Sequence, residues 1–543
     1  MVRMIGSHAL IRSLRVHGVD TIFALPGAHI MSAFDALHGS SDIRLITTRH
    51  EQATTHMADG YSRVTGRPGV AMVVPGPGLL NATAGLGTAY STSSPILLIS
   101  GQIPSASLGM GQGQLHEMDD QIDTIRPLTK WRRRVTSVNE ISTAVQEAFR
   151  QMLRGRCRPV ELEIPSDILD GEGDVDIVEP SENPSIEASD MDIDRAVKSL
   201  ASAQKPAIAA GGGALRSNAA RQLVRIAELL QAPVITSQQG RGLIRSNHPL
   251  YVGVHYAGLG VSVDLLSESD VILAVGTRLL IKNFFIRPEQ TLVKLDIDAK
   301  EIMKAPAKTV TVHADAAAGL EALAERLEAK LTTSNDGSER AKAYKQRFRK
   351  QLQLEANAQL EWVEAIREAV AADAVVVAGM TTIGYWSYLA FDADPEGVFI
   401  TPGYFGALGY GFPTALGASV GAPNRQIVSI TGDGGFMYNV QELATASKHH
   451  IDLAIVLFDN GSYGASQWDQ SERWQGRVIG TDLNNPDWLA LAQAFGASYR
   501  RALSPPDLTK NLVQALEESG PSIVHVQLPN MAPPFQLPGR IGW

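Results

Sequence analysis

The chain has 543 residues, of which 44% are hydrophobic and 19% are charged, and this length is enough for about three domains of ordinary size. A net charge of -9 argues against nucleic acid or an anionic membrane surface as a partner. The single cysteine excludes an intrachain disulfide, and no apolar run is long enough to span a membrane, so we expect a cytoplasmic protein.

Short apolar runs alternate with helical patterns through residues 1–170. The runs TIFALPG, IRLIT, GVAMVV and PILLISG predict strands, and the segments between them predict helices, including one at about 50–63 and one at about 79–91. A β-α-β alternation of this kind predicts a parallel sheet with helices on both faces.

The same alternation returns twice along the chain. An acidic segment at 170–192 and a polar stretch at 331–357 are predicted to be connectors, the second of them partly helical. We therefore predict an α/β protein of three domains, each with a parallel sheet flanked by helices. The domains are predicted at 1–170, 190–330 and 358–530, followed by a Pro-rich tail at 531–543.

The helix predicted at about 50–63 begins with RHEQATTH, which is close to the H-E-x-x-H pattern of zinc proteases. His50 and His56 are six residues apart, and at about 100° per residue they point to different faces of a helix. This spacing excludes a shared zinc ion, so Glu51 needs another role. The two histidines are predicted to be structural.

The most informative stretch of the sequence is ITGDGGFMYNVQELATA at 430–446. An apolar strand ends at Gly432 and Asp433 and runs into a helix, and glycines let backbone N–H groups approach an anion there. A second strand, LAIVLF, ends just before Asn460. Carboxylate, amide and carbonyl oxygens suit Mg²⁺ with a diphosphate, although a lone Gly-Asp-Gly is usually a tight turn.

A Gly-Asp-Gly followed by an asparagine at a strand end 27 residues later (433 to 460) resembles the signature of thiamine-diphosphate enzymes. The stretches PGPGLLNATAGLGTAY, VILAVGTRL and GYFGALGYGFPTALGA extend the resemblance over nearly the whole chain, to the superfamily of acetolactate synthase and benzoylformate decarboxylase. It implies a pyrimidine-binding domain, a central Rossmann-like domain and a diphosphate-binding domain, in that order.

The resemblance also implies roles for individual residues. The glutamate that matches Glu51 hydrogen-bonds the aminopyrimidine of the cofactor and favours the tautomer that removes the thiazolium C2 proton. Leu408 matches the apolar residue beneath the bent cofactor, and the Gly406 carbonyl and Leu408 N–H match its pyrimidine contacts. The metal ligands implied are Asp433, Asn460 and the Ser462 backbone oxygen. Further cofactor-binding candidates are Gly432, Gly434, Gly435, Thr381 and Thr382.

In this family the equivalents of Glu51 and Asp433 act together from different subunits. The resemblance therefore implies a homodimer, or a dimer of dimers, with active sites at the subunit interface. It implies a small carbonyl compound as substrate, and no nucleic acid or membrane partner is expected.

Several stretches depart from the acetolactate synthase pattern. His116 replaces the usual glutamine, and GTRLLIKNF replaces the segment associated with FAD, which argues against FAD and against acetolactate synthesis. GAHI, LTKWRRRV and GSYGAS instead resemble benzaldehyde lyase. That resemblance places Ala28 and His29 over the thiazolium, with His29 and His116 as candidate acid–base groups. Alternatively, His29 only begins a helix, and His116 matches the family in position but not in identity.

A substrate pocket is predicted from Ala28, His29, His116, Ala465 and Trp468. The leading interpretation is a C–C lyase or carboligase acting on 2-oxo acids, acyloins or 2-hydroxy ketones through a C2-carbanion/enamine intermediate. The alternatives are an acetolactate synthase catalytic subunit that condenses pyruvate, a simple 2-oxo acid decarboxylase, and a non-catalytic cofactor-binding paralogue. A dinucleotide-binding oxidoreductase is disfavoured, because neither AAGGGAL nor GDGG forms a G-x-G-x-x-G motif.

Overall fold

A computed structural model of the chain describes residues 1–256, 262–279, 286–306, 308–330 and 336–534. Within these ranges the strands form three six-stranded parallel sheets and one antiparallel pair of strands. The prediction of an α/β protein with three parallel sheets flanked by helices is therefore confirmed. None of the described helices is both long and apolar enough to cross a lipid bilayer.

The first sheet is built from the N-terminal third of the chain. The strands up to residue 175 are β1 (Val2–Ile5), β2 (Thr21–Ala24), β3 (Arg44–Thr47), β4 (Gly69–Val73), β5 (Ile96–Gln102), β6 (Trp131–Arg134), β7 (Val160–Pro165) and β8 (Glu172–Val175). The helices are α1 (Gly6–Val16), α2 (Met31–His38), α3 (Glu51–Thr65), α4 (Pro77–Thr92), α5 (Gln121–Thr124), α6 (Ile141–Leu153) and α7 (Ser166–Asp170). The sheet has the order β3-β2-β4-β5-β7-β6, while β8, inside the predicted connector, pairs antiparallel with β1.

Successive residues of the central strands face two separate cores. Val70 and Met72 of β4 pack into one apolar cluster, and Ala71 and Val73 pack into the other. Because side chains alternate across a sheet, a strand buried on both faces reads as the continuous apolar run GVAMVV. This double burial is what made the strand predictable.

The second sheet is built from residues 190–330. Its strands are β9 (Ala207–Ala210), β10 (Val234–Ser237), β11 (Tyr251–His255), β12 (Val271–Val275), β13 (Thr291–Asp296) and β14 (Val310–His313), in the order β11-β10-β9-β12-β13-β14. The helices are α8 (Asp190–Ala201), α9 (Gly212–Arg216), α10 (Ala220–Leu230), α11 (Ser262–Glu268), α12 (Ala299–Met303) and α13 (Ala316–Glu328). The next helix, α14 (Gly337–Ala369), contains one non-helical residue at Ala356 and covers most of the predicted polar connector.

The third sheet carries the Gly-Asp-Gly segment. Its strands are β15 (Val375–Ala378), β16 (Val398–Ile400), β17 (Ile427–Gly432), β18 (Leu453–Asp459), β19 (Ser498–Ala502) and β20 (Pro521–Gln527), in the order β16-β15-β17-β18-β20-β19. The helices are α15 (Thr382–Ala390), α16 (Gly411–Gly421), α17 (Asp433–Phe436), α18 (Leu443–His449), α19 (Gly464–Arg473), α20 (Trp488–Phe495) and α21 (Pro505–Leu516). Of the predicted tail, residues 535–543 lie outside the described residues.

Helices α3 and α16 join the first sheet to the third, with their backbones in direct contact. A Cβ atom on Gly417 would lie 1.9 Å from the carbonyl oxygen of Met57, so this position of α16 excludes any side chain. Beside this contact, the buried Tyr410 hydroxyl donates to Asp59 at 3.0 Å. The helix that begins with Glu51 is therefore fixed against the loop that precedes α16.

Arg63, near the end of α3, ties all three parts of the chain together. Its guanidinium donates to the Thr401 carbonyl at 2.7 Å and to the Tyr410 hydroxyl at 3.1 Å, both in the third part. It also donates to Gln239 of the second part at 2.6 Å. One side chain thus links the three sheets.

Candidate active site

Glu51 is the first residue of α3, at the carboxyl edge of the first sheet. His50 is the N-cap, and its ring nitrogen Nδ1 accepts the Gln52 N–H at 3.1 Å. The Glu51 side chain is 9% exposed, and its Oε2 accepts a hydrogen bond from Asn81 on α4 at 3.0 Å. Glu51 is therefore a nearly buried carboxylate held at the positive end of a helix, where an anion is favoured.

His56 lies on the same helix but takes no part in this edge. It is fully buried, its ring is edge-on to Tyr410, and neither ring nitrogen has a hydrogen-bond partner. Burial lowers the pKa of His56 to about 3, so the ring is neutral at physiological pH. The structure thus places His56 in the contact between α3 and α16, as a packing residue.

The structure brings His29 and His116 together, although 87 residues separate them in sequence (29 to 116). Their ring centroids lie 5.2 Å apart at an interplanar angle of 32°. Burial lowers the pKa of His29 below its ordinary value of 6.5, and the nearby His116 ring lowers it further. His29 is part of the short 3-10 turn Ala28–Ile30, and Ala28 at the start of this turn is exposed.

The loop between β4 and α4 lies between Glu51 and the histidine pair. The Val74 side chain contacts the backbone at Gly27 on one side and at Gly78 on the other, beside the Glu51 carboxylate. The Gly76 N–H donates to Gln121 at 2.9 Å, and the Gln121 amide in turn donates to the buried Glu163 at 3.0 Å. Glu51 and the two histidines therefore share one edge of the first sheet, as parallel topology requires of residues after strand ends.

Asp433 lies at the corresponding edge of the third sheet, directly after β17. It is 3% exposed, and burial raises its pKa to about 6 against the hydrogen bonds from Asn485 and the Gly434 N–H. Asn485 donates both to Asp433 at 2.8 Å and to Asp459 at 2.9 Å. A buried carboxylate with a raised pKa carries an uncompensated negative charge, which a bound cation would neutralise.

Asp459, at the end of β18, behaves in the opposite way. Burial raises the pKa of Asp459, but hydrogen bonds from His525 and from Trp488, the latter at 2.7 Å, outweigh burial and lower the pKa overall. Asp459 is therefore the permanently ionised member of the pair. Its negative charge repels that of Asp433 and so contributes to the raised pKa of Asp433.

Asn460 and Ser462 follow Asp459 in a turn paired with residues 481–483. The Asn460 side-chain oxygen accepts the Ser462 N–H at 3.2 Å, and the Tyr463 N–H donates to the Thr481 carbonyl at 2.8 Å. In the part of the chain that the structure describes, no group of three or more His, Cys, Asp or Glu side chains is arranged around a metal position. A cation at this edge would therefore need the mixed oxygen donors that suit Mg²⁺.

The other predicted cofactor residues surround the same edge. Leu408 packs against Gly435, and Thr381, the N-cap of α15, packs against Gly432. Asn439 donates to the Gly409 carbonyl at 2.9 Å and so ties the loop containing Leu408 to the segment after Asp433. Gly406 and Thr382 belong to the same two segments of the chain.

The remaining pocket residues, Ala465 and Trp468, lie on α19. This helix has no buried residue, and the indole nitrogen of Trp468 has no hydrogen-bond partner. Within one chain no hydrogen bond connects Glu51, His29 or His116 with Asp433 or Asn460, all of which the structure describes. The predicted residues thus form two clusters, one at the edge of the first sheet and one at the edge of the third.

A cavity of about 610 Å³ lies where the three parts of the chain meet, and Gly406 of the third-sheet cluster forms part of its wall. Its wall includes Arg156, Arg216, His255 and Asp296. The segment that replaces the FAD-associated sequence, 276–284, begins at this wall, but residues 280–285 lie outside the described residues. The expectation against FAD stays a prediction.

Comparison with known proteins identifies the class of enzyme that this fold and these two edges define. The N-terminal TPP binding domain of thiamine pyrophosphate enzymes matches residues 4–124, their central domain matches 193–323, and their C-terminal TPP binding domain matches 378–526. The chain belongs to the thiamine pyrophosphate (thiamine diphosphate) enzyme family.

Full-length relatives agree with this assignment. A probable 2-ketoarginine decarboxylase of Pseudomonas aeruginosa is 34% identical over 541 residues, covering 96% of this chain and 94% of the relative. A probable acetolactate synthase large subunit of Methanocaldococcus jannaschii is 31% identical, covering 99% and 94%. The large subunit of Escherichia coli acetolactate synthase isozyme 3 is 31% identical, covering 95% and 93%.

Proposed function

We propose that this enzyme uses thiamine diphosphate and Mg²⁺ to cleave or form C–C bonds beside a carbonyl group of 2-oxo acids, acyloins or 2-hydroxy ketones. The observation that carries the proposal is the His29–His116 pair, which lies at the same sheet edge as Glu51. Making or breaking a bond to a hydroxyl-bearing carbon requires proton transfer, and imidazole is suited to it near neutral pH. The lowered pKa of His29 favours a neutral ring that accepts a proton.

In this proposal the edge of the third sheet binds the metal and the diphosphate. Asp433 supplies the charged ligand for Mg²⁺, and Asn460 and Ser462 supply a side-chain and a backbone oxygen. The buried, uncompensated charge of Asp433 supports the assignment. The backbone from Gly432 to Gly435 receives the diphosphate, with Thr381 and Thr382 as further contacts.

When bound, thiamine diphosphate supplies the nucleophilic carbon that adds to the substrate carbonyl and the electron sink for the bond that breaks. Glu51 would hydrogen-bond the pyrimidine ring nitrogen, and its near-complete burial and the bond from Asn81 fix its carboxylate in place for that contact. The Gly406 carbonyl and the Leu408 N–H would hold the pyrimidine ring, and the Leu408 side chain would pack against the cofactor. Ala28 and Ala465 leave space for the substrate.

The two clusters would combine across a subunit interface. Glu51 and the histidines of one chain would face Asp433 and Asn460 of a second chain, in a homodimer or a dimer of dimers. The family resemblance supports this arrangement.

Product analysis tests the substrate class. The purified enzyme with thiamine diphosphate and Mg²⁺ is incubated with pyruvate alone, with benzoin, and with pyruvate plus an aromatic aldehyde. We expect cleavage of benzoin or mixed acyloin formation, with little acetolactate. Acetolactate as the dominant product from pyruvate alone would refute the lyase assignment and favour the acetolactate synthase alternative.

A simple 2-oxo acid decarboxylase is the second candidate, and the relative named as a probable 2-ketoarginine decarboxylase favours it. This candidate predicts release of CO₂ and an aldehyde from a single 2-oxo acid, without transfer to a second carbonyl. The same assay, run with the 2-oxo acid derived from arginine, separates the two. Decarboxylation that added aldehyde neither accelerates nor diverts would establish the decarboxylase.

A further inference from the structure

Glu442 is a buried carboxylate that no part of the proposed chemistry uses. It is fully buried at the end of the 3-10 turn Val440–Glu442 and precedes α18, nine residues after Asp433 (433 to 442). Burial raises the pKa of Glu442 to about 7 despite the hydrogen bonds it accepts. A side chain that is this costly to bury requires a specific partner.

Glu442 accepts hydrogen bonds from two places: a backbone N–H in the turn that follows β3, and a hydroxyl on α18. The Arg49 N–H donates to both carboxylate oxygens, at 3.1 Å each, and the Thr445 hydroxyl donates to Oε2 at 2.6 Å. Although Glu442 occupies the N-cap position of α18, its side chain accepts no N–H of that helix. Its backbone donor therefore comes from a segment 393 residues away in sequence.

Arg49 lies in the short turn that joins β3 to α3. Strand β3 ends at Thr47, and α3 begins at Glu51, so only three residues separate the sheet from the glutamate. Helix α18 also holds the strand end: the Thr47 N–H donates to the His449 ring at 3.1 Å, and Lys448 donates to the Thr47 hydroxyl at 2.7 Å. The third part of the chain thus holds this segment at Thr47 and at Arg49.

We propose that Glu442 is a positioning residue that fixes the turn at 48–50 and thereby the direction in which Glu51 presents its carboxylate. Its carboxyl oxygens accept a backbone N–H two residues before Glu51, close to the start of α3. Without this anchor the first turn of α3 loses its connection to the third sheet, and a misplaced catalytic group loses rate steeply. This inference rests on the proposed role of Glu51.

The variants Glu442→Gln, Glu442→Ala and Thr445→Val test the inference. Glutamine keeps one oxygen for the Arg49 N–H, alanine removes both, and valine removes only the hydroxyl that orients the carboxylate. Asp315→Asn is the matched control. Asp315 caps α13 of the second sheet, accepting the Ala317 N–H at 3.0 Å, and lies far in sequence from the Glu51 turn.

Three readouts separate positioning from general stability. Amide hydrogen exchange of residues 47–53 is measured in the cofactor-free protein, thiamine diphosphate affinity by titration, and exchange of the cofactor C2 proton by NMR. For Glu442→Gln we expect about tenfold faster amide exchange confined to this segment and C2-proton exchange slowed about 10- to 100-fold, with cofactor affinity changed less than about threefold. Glu442→Ala should be more severe, Thr445→Val milder, and Asp315→Asn unchanged in all three.

Unchanged C2-proton exchange in both Glu442→Gln and Thr445→Val would overturn the inference, as would amide exchange that rises equally throughout the protein. Glu51→Gln, measured in parallel, tests the proposed function separately. If Glu51→Gln leaves C2-proton exchange intact, the role of Glu51 is wrong. If it abolishes exchange while the Glu442 variants do not change it, only the positioning role fails.

Discussion

Replacing Asp433 with asparagine is predicted to stabilise the metal-free protein and to remove its response to Mg²⁺. The pKa of Asp433 rises from 3.8 in the unfolded chain to about 6 in the folded protein. A carboxylate with a raised pKa contributes stability below the unfolded value, and this contribution is lost as the pH rises through the folded value. Above about pH 6 the ionised side chain therefore costs the fold about 3 kcal/mol, since one pKa unit is worth about 1.4 kcal/mol.

Asparagine has nearly the same shape and keeps an oxygen for the hydrogen bond from Asn485, but it carries no charge. In urea denaturation with a chelator present, the free energy of unfolding of Asp433→Asn should exceed that of the parent protein by up to about 3 kcal/mol at about pH 8. At about pH 5 the difference should be about half as large. Adding Mg²⁺ with thiamine diphosphate should make the parent protein more stable than Asp433→Asn, because only the parent protein gains the free energy of binding.

Asp459→Asn is the control, because the pKa of Asp459 is lowered and its charge is stabilising. It should lower stability at both pH values. If Asp433→Asn were less stable than the parent without metal at about pH 8, or if it kept the full Mg²⁺ response, the charge argument for the metal site would be wrong.

Three further predictions concern the rest of the site and the fold. Glu51→Gln should lower turnover at least about 100-fold. Refolding Glu51→Gln chains together with Asp433→Asn chains should restore about a quarter of the parent activity, because half of the randomly mixed dimers contain one intact site of two. No recovery of activity would contradict a site shared between subunits. His29→Ala should remove the acidic limb of the pH–rate profile, because that limb reports protonation of a base whose pKa lies below 6.5; an unchanged limb would exclude His29 as that base. Gly417→Ala should lower stability by about 3 kcal/mol, since its Cβ would lie 1.9 Å from the Met57 carbonyl oxygen, and a neutral effect in urea denaturation would show that α3 and α16 separate freely.

Burial on both faces made some strands easy to predict, but it is not the whole rule: the partly buried edge strand β3 was predicted from IRLIT, and the fully buried β7, whose sequence VELEIP carries two glutamates, was missed. GVAMVV and LAIVLF read as continuous apolar runs because β4 and β18 lie in the middle of their sheets. The short strands β6 and β19 were not predicted, because they lie at sheet edges and their sequences, WRRR and SYRRA, are basic and only partly buried.

The same distinction holds at the candidate site. Glu51, Asp433 and Asn460 stand in local motifs at strand or helix ends, and the family resemblance of those motifs assigns them to the site. Asn485 and Glu442 carry no such motif, because their partners are 26 to 393 residues away in sequence, and only the fold brings them together. A residue that acts through another is defined by tertiary contact, which one sequence does not encode locally.

The bonds of Arg63 have a consequence for how the protein melts. In a chain with three separate sheets, each sheet and its helices could unfold independently of the others. Here one guanidinium is shared by Gln239, Thr401 and Tyr410, so opening any of the three parts deprives a partly buried cation of at least one acceptor. We expect a single calorimetric transition in the parent protein, and its division into separate steps once Arg63 is replaced by methionine.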